Sequence, residues 1–328
     1  MMRLGIIGAG GWGKNLVRVF CQLLGDSCVN VVDPDEARRE AVKLDHPGVT
    51  ATELPAWSEI DAAVIAAPAP LHYSLASEAL EAGLHVLVEK PLALESEHVR
   101  SLIEVAENRS RILMVDHLLE YHPAVIRLKA LHDEGTLGVI RHMTSQRLNL
   151  GVIRSEENAW WSLAPHDVSI VLHLMGESPI EVCAFGGTYL KDGIPDVVHA
   201  TLRFESGAIA HIHVSWLEPV KTRRMTVVGS KAMAVFDDMS DRRLVLHAHK
   251  IQEHGGRYDI DRSPPAVQEI ADTEPLRSMA EAFTEAVRTG LPPRSDGWDG
   301  LRVVRVLEAV QQSMDCGGDI IRVEANHG

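Results

Sequence analysis

The sequence predicts a doubly wound parallel α/β sheet in its first part, followed by an α+β domain built on a large, mostly antiparallel open sheet. Three observations carry this. Up to about residue 120, short apolar runs alternate with helix-period patterns, as βαβ units do. A glycine-rich turn joins the first apolar run to the first helical pattern. The remainder strings together strand-length runs, one of which alternates apolar with polar side chains. A length of 328 residues suits two domains. Their expected bounds are 1–120 and 121–328.

The elements follow in order. Residues 3–7 read as a short buried strand and 12–24 as a helix. Residues 28–32 and 62–66 are the next clear strands. Residues 71–82 form a helix stopped by Gly83, and 85–88 another strand. Val99, Leu102, Ile103 and Ala106 fall on one helix face, and 112–115 is a strand. Beyond residue 121 the texture changes. Residues 139–150 form a long extended run, and Val168, Val171, Leu172 and Met175 mark a helix face. Strands are expected at 181–190, 197–204, 208–217, 225–228, 232–236 and 244–247. Glu205-Ser206-Gly207 gives a hairpin signal between two of them. In 208–217, Ala208, Ala210, Ile212, Val214 and Trp216 alternate with His211, His213 and Ser215, which makes a sheet with two unlike faces. The polar stretch 250–274 reads as a long loop. Helices around 276–287 and 301–310 close the chain.

Composition narrows the function classes. Lys plus Arg is 32 against 46 Asp plus Glu, a formal charge of −14. Such a surface repels nucleic acid and anionic membranes. No apolar run approaches the ~18 residues that span a bilayer, and the start, MMRLGIIGAG, lacks the layout of a signal peptide. Cys21, Cys28, Cys183 and Cys316 have neither metal-type spacing nor disulfide density, so a cytoplasmic location is expected. His211 and His213 share a strand face without a third ligand at suitable spacing, and no metal is expected.

Gly8-Ala9-Gly10-Gly11-Trp12-Gly13 is a G-x-G-x-x-G between a strand and a helix. Its glycines permit a tight turn, close backbone approach to a pyrophosphate and close helix–strand packing. The helix N-terminus adds N–H donors and positive dipole. Asp33 lies 20 residues past Gly13, where a carboxylate accepts from a ribose diol and repels a 2′-phosphate. NAD is expected over NADP, although Arg38 and Arg39 lie nearby.

The segment AAPAPLHYSLASEALEAGLHVLVEKPL, residues 66–92, resembles the Gfo/Idh/MocA oxidoreductase family. The matching residues are Pro68, His72, Ala82-Gly83, His85-Val86 and Glu89-Lys90-Pro91. The resemblance runs on through Tyr121-His122-Pro123, Leu137-Gly138, Arg147-Leu148-Asn149, WWSLAPHD, VSWLEPVKTRRMTVVGS and Asp299-Gly300-Leu301. It covers essentially the whole chain. It implies a nicotinamide dinucleotide on the first domain, with Pro68, His72, Glu89 and Lys90 in the cofactor site. It also implies hydride transfer to or from a ring carbon of a sugar, cyclitol or sugar nucleotide. The LAPHD and SWLEPVK segments look most like the branch that oxidises the 3-hydroxyl of UDP-N-acetylglucosamine. Lys90 matches the lysine beside the nicotinamide, where an ammonium can stabilise a developing alkoxide. His166 matches the acid–base histidine. The resemblance also implies association of copies, as a dimer or tetramer, through the second sheet.

The sequence departs from the family at one informative place. The usual Asp four residues before the histidine is Ser162 here, a residue suited to an N-cap. Asp167 should point about 100° away from His166 on the helix. Where the family often has Gly-His, this chain has Asp116-His117. Asp116 is expected to restore the missing carboxylate, with a surface or capping role as the alternative. His117, Tyr121, Arg147, Asn149, Trp161, Ser162 and His166 are expected to join Lys90 around the substrate. Arg147 could reach a phosphate or carboxylate, and Trp160 and Trp161 could stack on a sugar or fill the core. Lys221, Arg223 and Arg224 could meet a diphosphate or form a solvated face. Three other readings stay open: an inositol or free-sugar dehydrogenase, an enzyme that uses bound NAD transiently in glycoside cleavage or elimination, and a non-catalytic dinucleotide sensor.

Overall fold

All four residues of the first strand, β1 (Leu4–Ile7), are buried, as a strand covered on both faces must be. The computed structural model describes residues 2–324. After β1 come α1 (Gly13–Leu24), β2 (Val29–Val32), α2 (Glu36–Asp45), β3 (Thr50–Thr52) and β4 (Ala62–Ile65). Next are α3 (His72–Glu81), β5 (His85–Val88), α4 (Ser96–Asn108) and β6 (Leu113–Val115). The strands form one six-stranded sheet in the order β3-β2-β1-β4-β5-β6, with every pair parallel. The order reverses between β1 and β4, the switch point where open α/β sheets bind ligands beyond the strand ends. Its core gathers Leu4, Ile6, Val31 and Val64 with Leu16, Val19 and Phe20 of α1.

The next run is α5 (Pro123–Asp133), β7 (Ile140–Leu150), α6 (Ala159–Leu163), α7 (Pro165–Met175), β8 (Glu181–Gly187) and β9 (Val197–Arg203). It continues with β10 (Ile209–Ser215), β11 (Leu217–Gly229), β12 (Met233–Asp237) and β13 (Leu244–His247). The long loop expected at 250–274 is instead partly ordered as strands. Here β14 (Lys250–His254) pairs with β15 (Arg257–Asp261), and β16 (Ala266–Val267) joins the main sheet. The hairpin turns on Gly255-Gly256, both with positive φ of 59° and 80°, which a tight two-residue turn requires. Two closing helices, α8 (Pro275–Thr289) and α9 (Gly297–Asp315), precede β17 (Ile321–Arg322). The large sheet runs β16-β13-β12-β11-β7-β10-β9-β8-β17 and is antiparallel except where β10 meets β7. Helices α5, α6 and α7 pack on β12, β9, β10 and β7. The alternation read in β10 holds through Val214, with Ala210, Ile212 and Val214 buried, His211 exposed and His213 half-buried, but fails at Ser215, which is fully buried.

Two compact units result. One runs from the N-terminus to Tyr121 and adds Glu274–Val304; the other holds His122–Thr273 and the chain from Arg305 onward. Thus α8 and the start of α9 join the first unit, where a single cut at residue 120 assigns them to the second. The reason is the apolar stripe of α8, Leu276, Met279, Ala280 and Phe283, which needs a matching surface. Phe283 meets Phe20 of α1 edge-on, centroids 6.4 Å apart at 86°. Among the described residues no helix is long and apolar enough to cross a membrane.

Candidate active site

The glycine turn divides into two structural and two open positions. Gly8 has φ of 103°, and a Cβ there would stand 2.7 Å from the Ala66 carbonyl oxygen. A Cβ on Gly13 would stand 2.0 Å from the Gly8 oxygen. At Gly10 the nearest atom to an added Cβ is Arg38 Nη1 at 3.9 Å, and at Gly11 nothing lies within 4 Å. Bare backbone therefore faces open space at the head of α1, whose first N–H groups and positive dipole suit an anion. The residues present fit a dinucleotide pyrophosphate. Gly13→Ala is expected to cost about 1–3 kcal/mol of fold stability by overpacking and to abolish dinucleotide binding. Melting and calorimetry check both, and binding at parental affinity would contradict this account of the turn.

Asp33, at the end of β2, is buried. Its Oδ2 accepts the Ala9 N–H at 2.8 Å and its Oδ1 accepts the Asp35 N–H at 2.9 Å. The carboxylate thereby pins the glycine turn to the strand end. Arg38 Nη1 lies 3.5 Å from Asp33 Oδ2, and Arg39 Nη1 donates to the main-chain oxygens of Asp33 and Pro34.

Further along the same edge, Pro68 leads into a short turn before α3. His72, buried at the start of α3, sets Nδ1 2.7 Å from the Pro91 oxygen and Nε2 2.9 Å from the Ala67 oxygen. It braces the cis Lys90–Pro91 turn against the loop after β4. Lys90 leaves β5 after Glu89, and its main-chain N–H donates to Glu89 Oε2 at 3.2 Å. Burial, reinforced by the charge of Asp116, pushes the Glu89 carboxyl well above the usual range. Asp116 is 2% exposed, and its Oδ2 accepts from Trp12 Nε1 at 3.3 Å.

The next residues form a buried charged trio. His117 Nδ1 lies 2.6 Å from Asp299 Oδ2 and 3.4 Å from Glu120 Oε1. Arg302 donates to Asp299 Oδ1 at 2.6 Å, and Arg294 donates to the Glu120 main-chain oxygen. Burial alone would lower the His117 imidazolium, but its hydrogen bonds to Asp299 and Glu120 outweigh it and push it up to about 9. Burial, then the Asp299 charge, pushes Glu120 up to about 8. For Asp299, burial is outweighed by the His117 hydrogen bond, which holds it below the usual range. The Tyr121 hydroxyl is 3.2 Å from Ser295 Oγ, and the Arg294 guanidinium lies over its ring. His117 and Tyr121 thus direct their polar atoms into the interior of the first unit.

In the second unit, Ser162 lies inside α6 and is the N-cap residue of neither α6 nor α7, contrary to the N-cap expectation. Asn158 caps α6 by accepting the Trp161 N–H at 3.1 Å, and Ala164 is the N-cap residue of α7. Because the chain breaks into two helices at Ala164, Ser162 and His166 do not share one helix. His166 is the second residue of α7 and is half-buried. Asp167 is buried and accepts from Ser145 Oγ and from Arg147 Nε, each at 2.6 Å. The carboxylate expected as an Arg147 partner is therefore this chain's own Asp167. It fastens β7 to α7 next to His166. Trp160 is fully buried, its indole donating to the Leu307 oxygen at 3.2 Å. Trp161 and Asn149 stay half-buried. His122 caps α5 through the Ala124 N–H at 3.1 Å and lies 3.4 Å from Asp238. Asp238 also holds Arg223 at 3.3 Å, while Lys221 and Arg224 are exposed.

His213 stacks on His199 with centroids 3.8 Å apart. Among the described residues, two triads bring ligand-type atoms within 4.8 Å of one another, Cys21–Asp26–His46 and His117–Glu120–Asp299, and neither includes His211 or His213.

Comparison with known proteins agrees with this architecture. Residues 2–117 match the model of an oxidoreductase family with an NAD-binding Rossmann fold. Residues 125–235 match the GFO/IDH/MocA C-terminal domain. The chain is 27% identical to UDP-N-acetylglucosamine 3-dehydrogenase of Acidithiobacillus ferrooxidans, over 96% of this chain and 97% of that one. The solved structure of that enzyme superposes with a TM-score of 0.83 at 25% identity, covering 96% and 98% of the two chains. Inositol 2-dehydrogenase of Rhizobium meliloti is 23% identical over 95% of this chain and 97% of its own. With both domain models matched in order along a Rossmann unit and a nine-stranded sheet, the chain belongs to the Gfo/Idh/MocA oxidoreductase family.

Proposed function

We propose that this protein is an NAD-dependent dehydrogenase that moves a hydride between nicotinamide and a ring carbinol of a sugar or sugar nucleotide. The 3-hydroxyl of UDP-N-acetylglucosamine is the first candidate, supported by the similarity to the Acidithiobacillus enzyme. The observation that carries the reading is the open backbone at Gly10 and Gly11 at the head of α1, tied by Ala9 to the Asp33 carboxylate. Bound there, the dinucleotide supplies the hydride acceptor. Gly10, Gly11 and the first N–H groups of α1 receive its pyrophosphate. Asp33 accepts from the ribose diol, with Arg38 balancing its charge. Lys90 donates a hydrogen bond to the reacting oxygen and stabilises negative charge as it develops. His166 takes the hydroxyl proton while the hydride leaves the same carbon, and the carbon–oxygen single bond becomes a carbonyl. Asp167, held by Ser145 and Arg147, fixes the start of α7 that carries His166.

The test is a panel of nucleotide sugars, free sugars and inositols with NAD and NADP, followed at the reduced-cofactor absorbance. Stoichiometric NADH and keto-sugar with UDP-N-acetylglucosamine is the expected result. Consumption of a glycoside without NADH accumulation would replace it with a transient-redox enzyme. Tight NAD binding with no turnover on any substrate would replace it with a sensor. Preference for NADP would assign Arg38, rather than Asp33, to the ribose.

A further inference from the structure

Glu89 Oε1 and Asp116 Oδ1 are buried in the first unit without a hydrogen-bond partner among the described residues. They belong to neighbouring strands. Val88 of β5 stands opposite Val115 of β6 in a parallel pair, so Glu89 and Asp116 come next, side by side at the carboxyl ends. The Asp116 N–H donates to the Val88 oxygen at 2.8 Å, keeping that register. The other two oxygens are engaged, Glu89 Oε2 with the Lys90 N–H and Asp116 Oδ2 with Trp12 Nε1. Ionised carboxylates only accept. Two of them side by side would repel and leave both orphans unsatisfied. A single proton makes one oxygen a donor and satisfies both atoms at once.

The environment decides which residue holds that proton. Glu89 is pushed toward its neutral form by burial and by the Asp116 charge, against the opposing pull of Lys90. Asp116 Oδ2 accepts from the Trp12 indole N–H. The pair then carries one negative charge, not two and not none.

We propose that Glu89 and Asp116 share one proton and that their single buried charge makes the site favour oxidised over reduced nicotinamide. The second half rests on the dinucleotide reading above, which sets Lys90, the residue after Glu89, beside the nicotinamide. The oxidised ring is cationic and the reduced ring is neutral. A fixed anion at the strand ends therefore stabilises only one of the two forms, and a low-dielectric setting magnifies the difference. Asp116 is in this sense a positioning charge that acts on the cofactor's redox state.

The first measurement needs no cofactor. An infrared difference spectrum of ligand-free parent minus Glu89→Gln at neutral pH is expected to show the C=O stretch of a protonated carboxyl. Its absence would overturn the shared proton. The second is calorimetry of NAD and NADH on parent, Glu89→Gln and Glu89→Gln/Asp116→Asn. In Glu89→Gln the amide still donates to Asp116 and the charge persists, so the NAD:NADH affinity ratio is expected to hold. The double variant removes the charge and is expected to shift that ratio toward NADH about tenfold, ~1.4 kcal/mol. An unchanged ratio would overturn the charge effect. Failure of the parent to bind either dinucleotide would overturn the dinucleotide reading, and the charge effect with it, while the infrared spectrum still decides the proton.

Discussion

Lys90→Ala is expected to reduce turnover of the preferred sugar substrate about 10²–10³-fold while NAD still binds. The magnitude is that of removing one preorganised donor to a developing oxyanion, about 2.7–4 kcal/mol. Lys90 is well placed for such a role. It stands at the carboxyl end of a central parallel strand, its main-chain N–H bound to Glu89 and the following Pro91 oxygen bound to His72. An interaction made only as charge develops lowers kcat and kcat/KM together and leaves KM nearly unchanged. Lys90→Arg should rescue little, because a planar, delocalised fork cannot replace a compact ammonium. Steady-state NADH formation and calorimetric NAD affinity separate the outcomes. A variant with parental kcat would remove Lys90 from the chemistry.

What the sequence revealed and what it hid divide along contact range. The glycine turn, β1, β4, β5 and the hairpin at Gly207 are set by local chemistry: apolar runs, periodicity and positive φ. They were legible for that reason. Helix α2 was not, because only Val42 of its ten residues is buried, leaving no apolar stripe to read. Nor was the β14–β15 hairpin, whose Gly255-Gly256 turn sits among polar residues. The candidate site divides in the same way. Gly10, Gly11 and Asp33 could be placed from spacing alone. The partners that give other residues their character could not, since nothing local joins Trp12 to Asp116, Arg147 to Asp167 or His117 to Asp299. The helical angle of Asp167 says only that it turns away from His166; that it anchors α7 follows from Ser145 and Arg147 of β7, which both donate to it. Ser162 falls inside α6, which Asn158 caps one turn earlier, while Ala164 takes the N-cap position of α7.

The buried trio of the first unit should govern stability in alkali. The His117 imidazolium, up at about 9 against an ordinary 6.5, contributes stability that is fully present below 6.5 and lost as pH rises through 9. Glu120, up at about 8 against 4.5, acts in the same direction: the folded chain keeps a proton that the unfolded chain releases. Asp299 is held low, so its contribution is present above its ordinary 3.8 and disappears only as pH falls through the depressed value. The melting temperature is therefore expected to fall steadily between about pH 6 and about pH 9, at constant salt. Asp299→Ala leaves His117 and Arg302 without their shared counter-charge, and breaking a buried pair in this way costs about 3–5 kcal/mol. It also removes the hydrogen bond that sustains the imidazolium, so His117 titrates closer to its ordinary range and the alkaline slope flattens. Calorimetric melting of parent and variant across that interval tests both points. A parent profile flat from about pH 6 to about pH 9 would mean that the trio holds no proton beyond what the unfolded chain holds, and the charge assignment of His117 would be wrong.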